Sequence, residues 1–162
     1  MNIMNRVQKP VNLETARTVT LLYYLPDEAI YKKVELILNR LSELNLKTRV
    51  VCYTDLKIVP HYFIPKITQD IITAKDVNWR YQPQKPFIQE FIDTEYDILI
   101  DLSLNDYLPL MYCSALSKAG LKVGRYIEDQ QSFYDLMIHA GPDETIDSFA
   151  DQVIHYLSMI NN

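Results

Sequence analysis

The chain has 162 residues, with 3 glycines, 12 tyrosines and 2 cysteines, and its 16 basic and 21 acidic side chains leave a formal net charge of -5. The length fits one domain, and a composition 48% hydrophobic and 23% charged can bury a core. At the usual share of about 7% a chain this long carries roughly eleven glycines, so Gly120, Gly124 and Gly141 are too few and too scattered to build a Walker loop or a dinucleotide fingerprint.

Residues 1–17 show no period and read as an N-terminal arm; residues 18–162 read as a single α/β domain. TVTLLYYL (18–25) is a run of β-branched, aromatic and apolar residues, the pattern of a strand buried on both faces. Pro26-Asp27 breaks it, with Asp27 placed to cap a helix. Ile30, Val34, Ile37, Leu41 and Leu44 then recur at helical spacing, and TRVVCY (48–53) is a second strand. Between 55 and 84, Pro60, Pro65 and Pro83 interrupt short apolar groups, so this stretch reads as an irregular excursion with one short edge strand at most. Pro86 opens a short helix carrying Phe87, Ile88, Phe91 and Ile92.

DILIDL (97–102) is a strand, Asn105 or Asp106 caps the next helix, and Leu108, Met111, Tyr112, Ala115, Leu116 and Ala119 form its buried face with Gly120 as its stop. LKVGRY (121–126) and YDLMI (134–138) are two more strands, and Ile146, Phe149, Ala150, Val153, Leu157 and Ile160 stripe a last helix. Alternating β and α elements imply a three-layer α/β/α domain with a mostly parallel sheet of about five strands. The expected order is the flavodoxin-like 2-1-3-4-5, with a Rossmann-like variant as second choice.

In such sheets ligands bind at the carboxyl ends of the strands, near the topological switch point. Those ends deliver Asp27, Thr54, Asp55, Ser103, Asn105, Asp106, Glu128, Asp129 and His139. Asp27, Asp55 and Asp106 could gather around Mg²⁺, but aspartates after strands are more simply N-caps and turn formers, and no metal or other cofactor is expected. Arg125, beside Gly124, could hold a carboxylate or phosphate in a two-pronged contact, or pair with Glu128 or Asp129 at the surface. Asp27, Asp55, Ser103, Asn105, Asp106 and Arg125 are therefore the candidate ligand-binding residues. No catalytic residue is assigned. His61, His139 and His155 lack zinc spacing, Ser103 lacks a nucleophile elbow, and Cys52 and Cys113 sit mid-element as core thiols.

The acidic balance argues against nucleic acid, and no apolar run reaches the ~18 residues that span a bilayer. With no apolar leader at the N-terminus and no CxxC, a cytoplasmic protein is expected. Tyr31, Tyr62, Trp79, Tyr81, Tyr107 and Tyr126 fall near element ends or in the excursion, where tyrosine and tryptophan often serve contact surfaces.

LIDLSLNDYLPL, SKAGLKVGR, YDLMI and KDVNW together resemble a family of short uncharacterised bacterial proteins over nearly the whole chain. The recurring residues of that family correspond to Asp101, Leu102, Ser103, Pro109, Lys122, Gly124 and Arg125, and the resemblance implies kinship without an activity. Residues 96–126 are also similar to the N-terminal half of bacterial heptosyltransferases. The chain has Pro26-Asp27 where that family has a glycine-bearing turn with a catalytic aspartate, and it has no second Rossmann domain. That similarity implies the α/β fold and not glycosyl transfer by this chain alone. The reading is a binding and interaction module that self-associates, against the alternative of a sugar-phosphate or nucleotide-like ligand binder, or an enzyme, at the carboxyl edge of the sheet.

Overall fold

The structure is a computed structural model and describes residues 6–7, 11–128 and 134–160. Among the described residues six strands form one sheet: β1 (Thr18–Tyr24), β2 (Lys47–Tyr53), β3 (Gln69–Ile72), β4 (Ile98–Asp101), β5 (Leu121–Arg125) and β6 (Leu136–Ile138). All neighbours are parallel and the order is β3-β2-β1-β4-β5-β6. Without β3 this is the expected 2-1-3-4-5 order. β3, inside the proline-rich excursion, extends it to the Rossmann arrangement 3-2-1-4-5-6.

β1 and β4 lie side by side at the centre, where the chain reverses the direction in which it adds strands. Their apolar runs follow from that position: Val19, Leu21, Leu22, Ile98, Leu99 and Ile100 are buried because helices cover both faces. α1 (Glu28–Glu43) and α4 (Ile146–Ser158) pack on one face with Leu21, Val50, Ile100 and Val123. α2 (Pro86–Asp93) and α3 (Leu108–Leu116) pack on the other with Leu22, Val51, Ile72 and Leu99.

Asp27 caps α1, its carboxylate accepting the Ile30 N–H at 3.0 Å. α4 starts on a reciprocal Thr145/Ser148 capping box. The helix over Leu108–Leu116 departs from expectation at both ends. Its N-cap is Tyr107 with no side-chain cap, and it stops at Ser117 rather than Gly120. Ser117 Oγ accepts the Ala119 N–H, and the Gly120 N–H reaches back to the Tyr96 carbonyl, so Gly120 leads into the sheet instead of ending a helix. The expected arm is in part core: Leu13 and Ala16 are buried, and Asp97 accepts the N–H groups of Arg17 and Thr18.

Candidate functional site

The reversal between β1 and β4 opens a crevice at their carboxyl ends, which is where this topology leaves room for a ligand. A pocket of about 300 Å³ occupies it. One wall is Tyr24 at the end of β1 and Pro26 beyond it with Ile30 and Lys33 of α1; Leu102–Asn105 and Tyr107, between β4 and α3, form another; Glu144, Thr145 and Ile146 at the start of α4 close the third side.

Of the six candidate residues, Ser103 and Asn105 line this pocket. Asn105 is exposed, while the hydroxyl of Ser103 is buried without a hydrogen bond of ordinary geometry. Asp106 and Arg125 are ion-paired with each other, the arginine mostly covered and the aspartate half exposed. Arg125 thus takes its carboxylate from the β4–α3 loop rather than from Glu128; Asp129 lies outside the described residues. Asp27 is held as the cap of α1. Asp55 accepts the Tyr24 hydroxyl at 2.6 Å, and burial, followed by this bond, pushes the Tyr24 phenol up. Tyr24 stacks on Tyr107 with centroids 4.1 Å apart and planes 10° from parallel, so both pocket tyrosines are fixed as one aromatic wall.

Lys33, Glu144 and Thr145 escape a reading of the sequence, because they meet the pocket only through the packing of α1 against α4. Lys33 Nζ lies 3.2 Å from Asp147 on α4. Glu144 accepts from Gln152 Nε2 at 2.7 Å and from the Ser148 hydroxyl. The rim therefore carries one ammonium and one carboxylate, each already oriented.

Behind the pocket stands a second group that sequence pattern does not single out as a site. Asp101, at the end of β4, is buried; it accepts the Ser103 N–H at 2.9 Å and the Tyr134 hydroxyl. Burial pushes its carboxyl up, against hydrogen bonds from Ser103 and Tyr134 and the charge of Arg125. Gly124 is the visible signal: its missing side chain is the space the Tyr134 ring occupies.

Burial raises the thiols of Cys52 and Cys113 to about 12 each, the environment of core cysteines rather than of nucleophiles. Among the described residues no group of three or more His, Cys, Asp or Glu is placed to hold a metal ion. Among them too, no helix is long and apolar enough to cross a membrane.

The model of a family of unknown function, DUF6913, matches residues 2–160. No curated protein matches in sequence. Among solved structures, the E. coli heptosyltransferase WaaC with ADP is similar at a TM-score of 0.50 and 13% identity, over 88% of this chain and 48% of that one. The chain spans about half the length of that structure. The resemblance to an uncharacterised family and the heptosyltransferase-like fold read from residues 96–126 are both borne out.

Proposed function

The chain belongs to the DUF6913 family, of unknown function, and we propose that it is a binding module for a small sugar-phosphate or nucleotide-like molecule, held in the pocket between β1 and β4. The observation that carries this reading is the pocket's place. It sits at the switch point of a doubly wound sheet, with a volume at the lower end of the roughly 300–1,000 Å³ of small-molecule sites.

Its lining supports the ligand class. Tyr24 and Tyr107 offer an apolar wall to a ring, and Ile30, Leu102, Leu104 and Ile146 make the floor largely apolar. Asn105 and Thr145 supply a few polar groups that fix orientation, and Lys33 is the cation for an anionic group. The first turns of α1 and α4 add the partial positive charge of helix N-termini. The similar heptosyltransferase structure contains ADP, which makes nucleotides a sensible first set of ligands to try. No residue is assigned a catalytic role.

Thermal-shift screening against nucleotides, sugar phosphates and divalent ions tests the reading, since a ligand of the native state raises stability by about 2.7 kcal/mol at a hundred times its Kd. One nucleotide or sugar phosphate should raise the melting temperature. Asn105→Trp, which fills the pocket mouth, should abolish the shift, and Arg125→Ala, off the pocket lining, should retain it. No shift across the panel at millimolar concentration sinks the proposal.

A further inference from the structure

The segment after β2 crosses the sheet without a helix, and its outward side is unusual for an acidic protein. Leu56, Ile58, Val59, Ile64 and Ile67 are all exposed, Ile58 at 72% and Ile67 at 97%. Lys57, His61 and Lys66 are exposed among them, and residues 56–67 contain no carboxylate although the whole chain carries 21. We propose that this segment is the contact face between two copies of the chain.

The segment is a fixed surface. Phe63 is buried with its ring edge-on to Tyr31 at 5.8 Å, and Tyr62 tilts against Tyr31 at 5.6 Å. The Tyr31 hydroxyl accepts the Ile64 N–H at 3.2 Å and Gln69 Nε2 at 3.1 Å. The outward isoleucines are therefore held in place by inward aromatics, and little ordering is left for a partner to impose.

Area favours a protein contact. The five side chains expose on the order of 500 Å² of apolar surface, near the top of what a monomer's largest patch shows and over half of the roughly 800 Å² that each partner gives to a standard interface. Charge favours a second copy in particular. Two chains of net charge -5 repel in general, and a carboxylate-free stretch bearing Lys57 and Lys66 is where they approach at least cost. Acidic groups adjoin it: Asp27 and Glu28 lie close enough to Tyr62 to raise its phenol, behind the effect of burial. An apolar patch with lysines on it and carboxylates beside it is self-complementary across a two-fold axis.

The contact is made by side chains and not by extending the sheet. At the free edge of β3 the Gln69 N–H is already bonded to the Lys66 carbonyl at 3.1 Å, and the Thr73 N–H to Asp76 Oδ2 at 2.9 Å. Those bonds blunt the edge against strand pairing.

Sedimentation equilibrium of the full chain, from about 1 to about 100 µM, tests this in the range of ordinary reversible dimers. A monomer–dimer equilibrium is expected, weakened at least roughly tenfold in Ile58→Ser/Ile67→Ser, with a melting temperature that matches wild type at concentrations where both proteins are monomers, because both positions are exposed. Lys57→Glu/Lys66→Glu provides a second variant without any apolar substitution, and it too should weaken the dimer. A wild-type monomer at the highest concentration overturns the proposal, as does a dimer indifferent to both variants. A monomer that floats with phosphatidylserine vesicles, and loses that in the isoleucine variant, also overturns it by giving the face to a lipid surface.

Discussion

The ring of Tyr134 occupies the space where a side chain at position 124 would begin: a Cβ added to Gly124 would meet Tyr134 Cζ at 2.6 Å. No glycine among the described residues has a positive φ, so the requirement at 124 is one of room and not of backbone conformation. The same ring ends in the hydroxyl that Asp101 accepts. Gly124→Ala should therefore destabilise by about 1–3 kcal/mol, the usual cost of overpacking, by displacing Tyr134 from Asp101. In a Tyr134→Ala background the same substitution should be neutral or stabilising by up to about 1 kcal/mol, because alanine is otherwise better than glycine in a strand. Urea unfolding of the four proteins in the cycle measures the coupling, and additive effects would refute the contact.

Arg125 and Asp106 make the second pair, 19 positions apart in the chain. With the carboxylate half exposed, solvent screens their attraction, and a double-mutant cycle on Arg125→Ala and Asp106→Ala should give a coupling of about 0.2–1 kcal/mol that shrinks in high salt. A coupling well above that, or one insensitive to salt, would mean that the pair is buried or built into a larger network.

How far the sequence reveals this architecture depends on whether an element is shaped by its own pattern or by its neighbours. Strands β1, β2 and β4 are legible because a strand buried on both faces must be apolar throughout. β3 is legible only as a short edge strand somewhere in 55–84 and not by its position, because its four residues include Gln69 and Asp70, and the latter is ion-paired to Arg49 at 2.5 Å. The end of α3 is misplaced by the pattern because buried Ala119 continues the apolar spacing while its N–H is already taken by Ser117. For the site, the strand order alone locates the crevice and puts Ser103 and Asn105 in it. It cannot tell that Asp106 and Arg125 neutralise each other, nor that Lys33, Glu144 and Thr145 arrive from two helices more than a hundred positions apart.

The buried carboxyl of Asp101 should leave a mark on the pH dependence of stability. Its native value is raised above the ordinary 3.8, so the folded state holds the proton more tightly than the unfolded one. The resulting stabilisation is complete below 3.8 and is lost as pH rises through the native value, with a slope of at most about 1.4 kcal/mol per pH unit. Asp101→Asn, which cannot ionise, should lack that decline. Urea denaturation of both proteins at a series of pH values tests this, and parallel curves for the two would show that Asp101 does not titrate abnormally.

Lys122 gives the opposite sign at the other end of the scale. Its side chain is buried at the back of β5 and donates to the Ala115 carbonyl at 3.2 Å, near the C-terminus of α3. Burial, then the charge of Arg6, pulls the ammonium down to about 8 from the ordinary 10.5, against the pull of Asp135. Between those two values the unfolded chain keeps a proton that the folded chain has released. Stability should accordingly rise with pH across that interval, again by no more than about 1.4 kcal/mol per unit. Lys122→Met fills a similar volume without an ionisable group and should flatten the rise. The informative quantity is the difference in unfolding free energy between the two proteins at about pH 7.5 and about pH 10, since exposed lysines and tyrosines contribute equally to both. If that difference is the same at the two pH values, the ammonium is better solvated than its position in the core implies.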